Sequence, residues 1–315
     1  MRLTLMISVL VMTTACNPPF SPEDPLETLL HSQPGRFGTV LNNPEKFRVQ
    51  IIYTQINRDA ENRPSFESFR YHVDPTRYFY PASTVKLPAV ALALEKLNLL
   101  DRPGLDRDTT MLTGSAADYQ TEASVDETSP TGLPSVANYA RKILLVSDND
   151  AFNRLYEFLG QEDLNESLHG KGYLDTRIVH RLEVALSKQQ NRWTNPVRFV
   201  DAEGETVFEQ DAAQCEADYY GTHPELLGVA EIVDGERLEQ PKDFSEKNAF
   251  GLQDQHDFVK NLMFPESAEP QRRLNLSDDD YRFLYRYMSM YPGESDVSAY
   301  QDADRYPQGY VKFLM

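Results

Sequence analysis

Ser83 and Lys86, three positions apart, are the first residues in this 315-residue chain whose types and spacing could do covalent chemistry. On a helix, positions i and i+3 share a face, so the lysine ammonium can approach the serine hydroxyl. A serine hydroxyl is a poor nucleophile unless a base takes its proton, and a lysine can do so when burial depresses its pKa. Leu87, Val90, Ala91, Leu94 and Leu97 follow at helical spacing with alanines between them. A helix that apolar belongs inside a protein, which would supply the burial. Beginning it at the nucleophile also turns free N–H groups and a positive dipole end toward the site, which suits a developing oxyanion. Pro88 removes one helical hydrogen bond, a loss tolerated best near a helix start. The competing explanation is plain: a solvated lysine beside a helix-capping serine.

A second cluster, Ser147-Asp148-Asn149, sits after a run ending ILLV, in a break between two helical patterns. A hydroxyl there can relay a proton between the lysine and a leaving group, and the Asn149 amide can hold both the lysine and a substrate carbonyl. Ser, Asp and Asn are also favoured helix caps, so a capping loop is the alternative.

These groups need elements to position them. FRVQIIYTQI (48–57) and SFESFRYHV (65–73) are β-rich and separated by polar turn residues, which predicts a hairpin. Residues 101–132 are polar and punctuated by Gly and Pro, predicting a loop with short helices. A helix is expected over 134–146, with Pro134 in its first turn, and another after the break up to Gly160. A further short helix ends near Gly170 and Gly172. From Val197 to about Leu238 the pattern turns β-like, with turn cues at Glu203-Gly204 and Asp234-Gly235. Helices return at 253–263 and 277–290, the latter with Ser277 and Asp280 spaced for mutual capping. The order predicts an α+β fold, a mixed α/β sandwich.

The two motifs together resemble those of class A β-lactamases and penicillin-binding proteins, serine hydrolases that acylate their nucleophile. Ser147 follows Ser83 by 64 positions (147 − 83), a separation similar to that group's. YFYPASTVKLPAV resembles its nucleophile helix and LLVSDNDAFNRL its second motif, and in element order the resemblance extends over roughly residues 46–315. It implies that Ser83 attacks an amide or lactam carbonyl with Lys86 as base. Ser147 would pass the proton to the leaving nitrogen and Asn149 would position the substrate. No cofactor is implied, and the expected partner is a β-lactam or a peptidoglycan-peptide substrate met by a monomer.

Two departures stand out. The family's third element, Lys-Thr-Gly on a late strand, is absent; the Thr-Gly pairs at 113–114 and 131–132 follow Leu112 and Pro130. The chain is therefore expected to be a fragment whose antiparallel sheet lacks its C-terminal strands, and inactive if it truly ends at Met315. The second departure is Glu183-Val-Ala-Leu-Ser187, where the family carries Glu-x-x-Leu-Asn, ahead of RWTNPV. Glu183 is either the base that activates a deacylating water or a surface carboxylate beside Arg181. The activities that follow are β-lactam hydrolysis, or D-Ala-D-Ala peptidase or penicillin-binding chemistry. From a different class comes a non-catalytic lipoprotein that keeps the fold as a cell-wall binding module.

The first residues, MRLTLMISVLVMTTAC, have a basic start, an apolar stretch too short to span a bilayer and small residues ending in Cys16. They outline an export signal over 1–16, with lipidation at Cys16 and a periplasmic or cell-surface, membrane-anchored product; an ordinary cleaved signal with an incidental cysteine stays open. Residues 17–45 are expected to form a tether with a short helix around Leu26–Ser32, ahead of a catalytic domain over 46–315 with a β insertion at about 197–250. Formal charge is −18 with no basic cluster, which excludes nucleic acid as a partner. Two cysteines, Cys16 and Cys215, and six scattered histidines give no metal-ligand spacing. His180 and His223 have no serine in a nucleophile-elbow pattern nearby, which disfavours a Ser-His-Asp hydrolase.

Overall fold

The computed structural model describes residues 24–221, 224–307 and 309–310. Cys16, with the whole signal segment, and His223 lie outside the described residues. The fold is mixed α+β, with small antiparallel sheets and many helices, in two units that divide after Val73.

The first unit has three short helices, α1 (Pro25–Ser32), α2 (Pro34–Leu41) and α3 (Pro44–Phe47), then strands β1 (Ile51–Arg58) and β2 (Pro64–Tyr71). The tether was expected to hold one helix. Each of the three opens on a proline in its first turn, where the missing N–H has no intrahelical partner to lose. The Asp24 carboxylate accepts from the Leu26 and Glu27 N–H groups and fixes the start of α1. Leu26, Leu30 and Tyr71 form a small core covered by Phe37, Leu41, Val49, Ile51 and Phe69. β1 and β2 pair antiparallel from Ile51 opposite Tyr71 to Arg58 opposite Pro64, as the hairpin prediction requires. Asp59 closes the turn by accepting from the Glu61 and Arg63 N–H groups. Among the described residues no third strand pairs with this hairpin.

The second unit is organised around α4 (Lys86–Leu100), which enters from a tight 3-10 turn at Ala82–Val85. Every residue of α4 from Lys86 to Glu95 is buried, with Leu97. Three helices pack on it: α5 (Val136–Val146), α6 (Asn149–Leu159) and α7 (Gln161–Gly170). Ile143, Leu144, Phe152, Leu155 and Tyr156 form one cluster with Val90 and Leu94. Burying this much apolar side chain, at roughly 25 cal/mol per Å², is what makes the nucleophile helix rigid.

The segment 101–132 corrects the sequence expectation. No helix forms there; Thr110–Thr113 is a strand, β3, whose alternate residues Met111 and Thr113 point inward. After the short α8 (Lys188–Asn191) come β4 (Val197–Val200) and β5 (Thr206–Gln210), giving a three-stranded sheet in the order β3-β4-β5. Met111 stands opposite Phe199, and both are fully buried. Four residues of period-two pattern between turn residues are too few to announce a strand.

Beyond β5 a two-stranded arm pairs β6 (Leu226–Leu227) with β9 (Lys242–Asp243) and β7 (Glu231–Val233) with β8 (Glu236–Leu238), turning at Asp234-Gly235. Two helices follow, α9 (Leu252–Met263) and α10 (Asp278–Met288). α10 starts with the reciprocal Ser277–Asp280 cap predicted from sequence.

Candidate active site

The chain reaches Ser83 through Ala82, whose φ of 47° is in the left-handed region. A side chain there costs about 1–2 kcal/mol, tolerated here because the buried helix behind it fixes the turn. The Ser83 N–H opens the 3-10 turn and has no acceptor among the described residues. It is one of the orphan donors that every helix start leaves, and it stands beside the hydroxyl. The helix proper begins at Lys86, so the nucleophile position lies in the preceding turn, half-exposed, while the lysine is 1% exposed.

Lys86 Nζ gathers the rest. It lies 3.3 Å from Ser83 Oγ and 3.1 Å from Ser147 Oγ. It donates to the Ser147 carbonyl at 2.6 Å and to Asn149 Oδ1 at 2.5 Å. The carbonyl and the amide oxygen can only accept, so they claim two of its protons. A neutral Lys86 would keep both bonds and could turn its lone pair to a hydroxyl, which is the geometry a general base requires.

Ser147-Asp148-Asn149 divides its labour. Asp148 does what a cap does: its carboxylate accepts from the Ala151 N–H at 2.8 Å and starts α6. Ser147 ends α5 in the left-handed region, at φ 58°, with its N–H on the Ile143 carbonyl. That reversal aims its side chain, and that of Asn149, at Lys86. The capping explanation thus holds for Asp148, while Ser147 and Asn149 turn toward Lys86 instead.

Glu183 shares no hydrogen bond or ion pair with this cluster. It is exposed, adopts φ 56°, and its side chain makes no hydrogen bond or ion pair among the described residues. The segment before it is held firmly. Asn165 accepts from the Ile178 N–H and donates to its carbonyl; Asn248 accepts from the Val179 and His180 N–H groups. Gln161 donates to the Val179 carbonyl, Asn191 accepts from the Arg181 N–H, and Asn153 on α6 bonds both the N–H and the carbonyl of Leu182. Side-chain amides thus replace the neighbouring strand this backbone lacks, and all five are buried.

Arg181 is not a surface partner of Glu183. It is 4% exposed and donates through Nε to Glu157 Oε1 at 2.9 Å and through Nη2 to the Trp193 carbonyl. Glu157, on α6, also takes Arg154 Nη1 at 3.2 Å, and Arg154 donates to the Thr121 carbonyl. Burial pushes the Glu157 carboxyl up, and the two guanidinium groups oppose that shift. One carboxylate therefore ties the helix that begins with Asn149 to the loop that carries Glu183. Glu157, Asn153 and Asn165 were missed in the sequence, where the only signal was polar residues recurring on otherwise buried helices.

His180 gives this loop a pH dependence. Its Nδ1 lies 2.6 Å from the Arg181 carbonyl, so that nitrogen carries the proton, while Nε2 is buried without a partner. Burial lowers its pKa below the ordinary 6.5. The unfolded chain then binds the proton more readily, so stability falls as pH drops from about 6.5 toward the folded pKa. Melting curves of His180→Asn between pH 5 and 7 are expected to be flatter than those of the parent chain; parallel curves would contradict this assignment.

The site's composition agrees with comparison to known proteins. A family model described as "Beta-lactamase enzyme family" matches residues 38–207, more than half the chain, taking in Ser83, Lys86, Ser147, Asn149 and Glu183. The chain belongs to the beta-lactamase enzyme family. No curated protein matches it. As a beta-lactamase family member it is a hydrolase of the serine β-lactamase and penicillin-binding-protein type.

Proposed function

We propose that this family member forms an acyl-enzyme on Ser83 and hydrolyses β-lactams. The observation that carries this is the convergence of Ser83, Ser147 and Asn149 on one buried lysine. In the proposed cycle Lys86, in its neutral form, takes the Ser83 proton on its lone pair, and Oγ attacks the lactam carbonyl. The unpaired Ser83 N–H faces the developing oxyanion. Ser147 Oγ, in contact with Lys86, returns the proton to the leaving nitrogen, and Asn149 holds the substrate amide. Glu183 then activates the water that clears the acyl group.

A second reading, a D-Ala-D-Ala peptidase or penicillin-binding protein that acylates and turns over slowly, is favoured by the exposed, unpartnered Glu183 side chain. Chromogenic cephalosporin turnover separates the two. Under the first reading Glu183→Gln slows deacylation by about 10²–10⁴-fold while the acylation burst survives. Under the second the parent chain and Glu183→Gln release product equally slowly. Equal turnover by Ser83→Ala and parent would remove the nucleophile assignment altogether.

We also propose export and lipid anchoring through Cys16, supported by the sequence of the first 16 residues. A Cys16→Ser variant should then move from the detergent-rich to the aqueous phase on detergent partitioning.

A further inference from the structure

A cavity of about 410 Å³ lies between residues 75–79, the C-terminal end of α7, residues 174–177, residues 218–220 and Glu225. None of the site residues described above lines it. Its walls are fixed: the Tyr78 hydroxyl donates to the Asn248 carbonyl at 2.7 Å, and the Arg177 guanidinium lies over the Tyr78 ring, 5.3 Å from its centroid. Arg177 Nε donates to the Lys247 carbonyl at 3.1 Å.

Three of the charged groups lining this cavity, Arg177, Asp175 and Glu225, form no ion pair among the described residues. Among the described residues Arg177 forms no ion pair, and its Nη2 is buried with no acceptor. Asp175 and Glu225 also line the cavity, and among the described residues their side chains make neither an ion pair nor a hydrogen bond. Both backbones are pinned elsewhere, Asp175 N–H on the Asp254 carboxylate and Glu225 N–H on Ser245 Oγ. Opposite charges confined in one space would close on each other if the backbone let them; here they are held apart. Asp218 is the exception, facing Lys188 at 3.6 Å. Gly221 keeps the guanidinium edge clear, since a Cβ there would stand 2.8 Å from Arg177 Nη1. His169, also on the lining, donates through Nε2 to the Thr176 carbonyl at 2.7 Å.

We propose that this cavity binds a small dipolar molecule with a free carboxylate and a free ammonium group, an amino acid or short peptide. The carboxylate lies on Arg177 and the ammonium between Asp175 and Glu225. The volume suits such a ligand. A molecule carrying one charge makes only half of these charge-assisted contacts, which is the basis of selectivity. This site is independent of Ser83 chemistry.

Calorimetric titration of the full chain with glycylglycine, an achiral probe, tests it, with the N-acetylated and C-amidated dipeptides alongside. Saturable binding is expected for the free dipeptide, weakened about tenfold or more by blocking either end, each block removing one charge-assisted contact. The same loss is expected in Arg177→Gln and in Asp175→Asn; Asp175 is exposed, so that variant leaves the core untouched. The proposal is overturned if the parent chain shows no saturable binding, if blocked and free dipeptides bind alike, or if Asp175→Asn binds as the parent does.

Discussion

Replacing Lys86 with methionine is expected to lower acylation of Ser83 by about 10²–10⁴-fold, the usual contribution of a positioned general base. The fold should survive the change. Methionine follows nearly the same path through the core, and it removes a buried polar amine that is costly to keep from water. What the variant leaves behind is an unpaired Ser147 carbonyl and Asn149 amide oxygen, each of which held one Lys86 proton. Groups of that kind cost about 1–3 kcal/mol when buried and unmatched. A melting temperature lowered by several degrees with acylation essentially gone is therefore the expected pair of results. Acylation within threefold of the parent rate would mean that the Ser83 proton leaves by another route.

The second large effect concerns stability. Glu157→Ala removes the carboxylate shared by Arg154 and Arg181, both about 5% exposed or less. Two buried guanidinium groups then lose their common acceptor, and breaking a buried pair in this way costs about 3–5 kcal/mol. That is a large share of a domain's net stability, so urea unfolding should shift to a much lower midpoint with little change in slope. Because Arg181 heads the segment leading to Glu183, the loop should also become open to proteolysis before the helices do. A midpoint unchanged within error would show that solvent or Asp150, 3.1 Å from Arg154 Nη2, compensates the loss.

Much of this was legible in the residues, because the chemistry and the structure share the same positions. Ser83 and Lys86 sit on one face of a helix start, and the run from Leu87 to Leu97 has so little polar surface that its burial follows directly. The Ser277–Asp280 cap and the Asp234-Gly235 turn were readable because each depends on residues a few positions apart. What was not readable depends on partners far along the chain. Asn165 meets Ile178, Asn153 meets Leu182 and Asn248 meets Val179 across 13, 29 and 69 positions. In sequence each looks like a cap or a turn residue, since short polar side chains serve local backbone and distant backbone equally well. Arg181 was misplaced for the same reason: its neighbour in sequence is Glu183, but its partner in space, Glu157, lies 24 positions earlier. The helices at 34–47 were hidden by Pro and Gly, which end helices as often as they begin them.

The central claim is that Ser83 is an acylable nucleophile activated by Lys86, and one measurement addresses it most directly. The full chain is incubated with benzylpenicillin, its intact mass is recorded and the modified peptide is sequenced. A single adduct of the mass of the whole antibiotic, on Ser83 and absent from Ser83→Ala and Lys86→Met, is the predicted result. A folded sample that gives neither adduct nor hydrolysed penicillin, or an adduct on another residue, would contradict it.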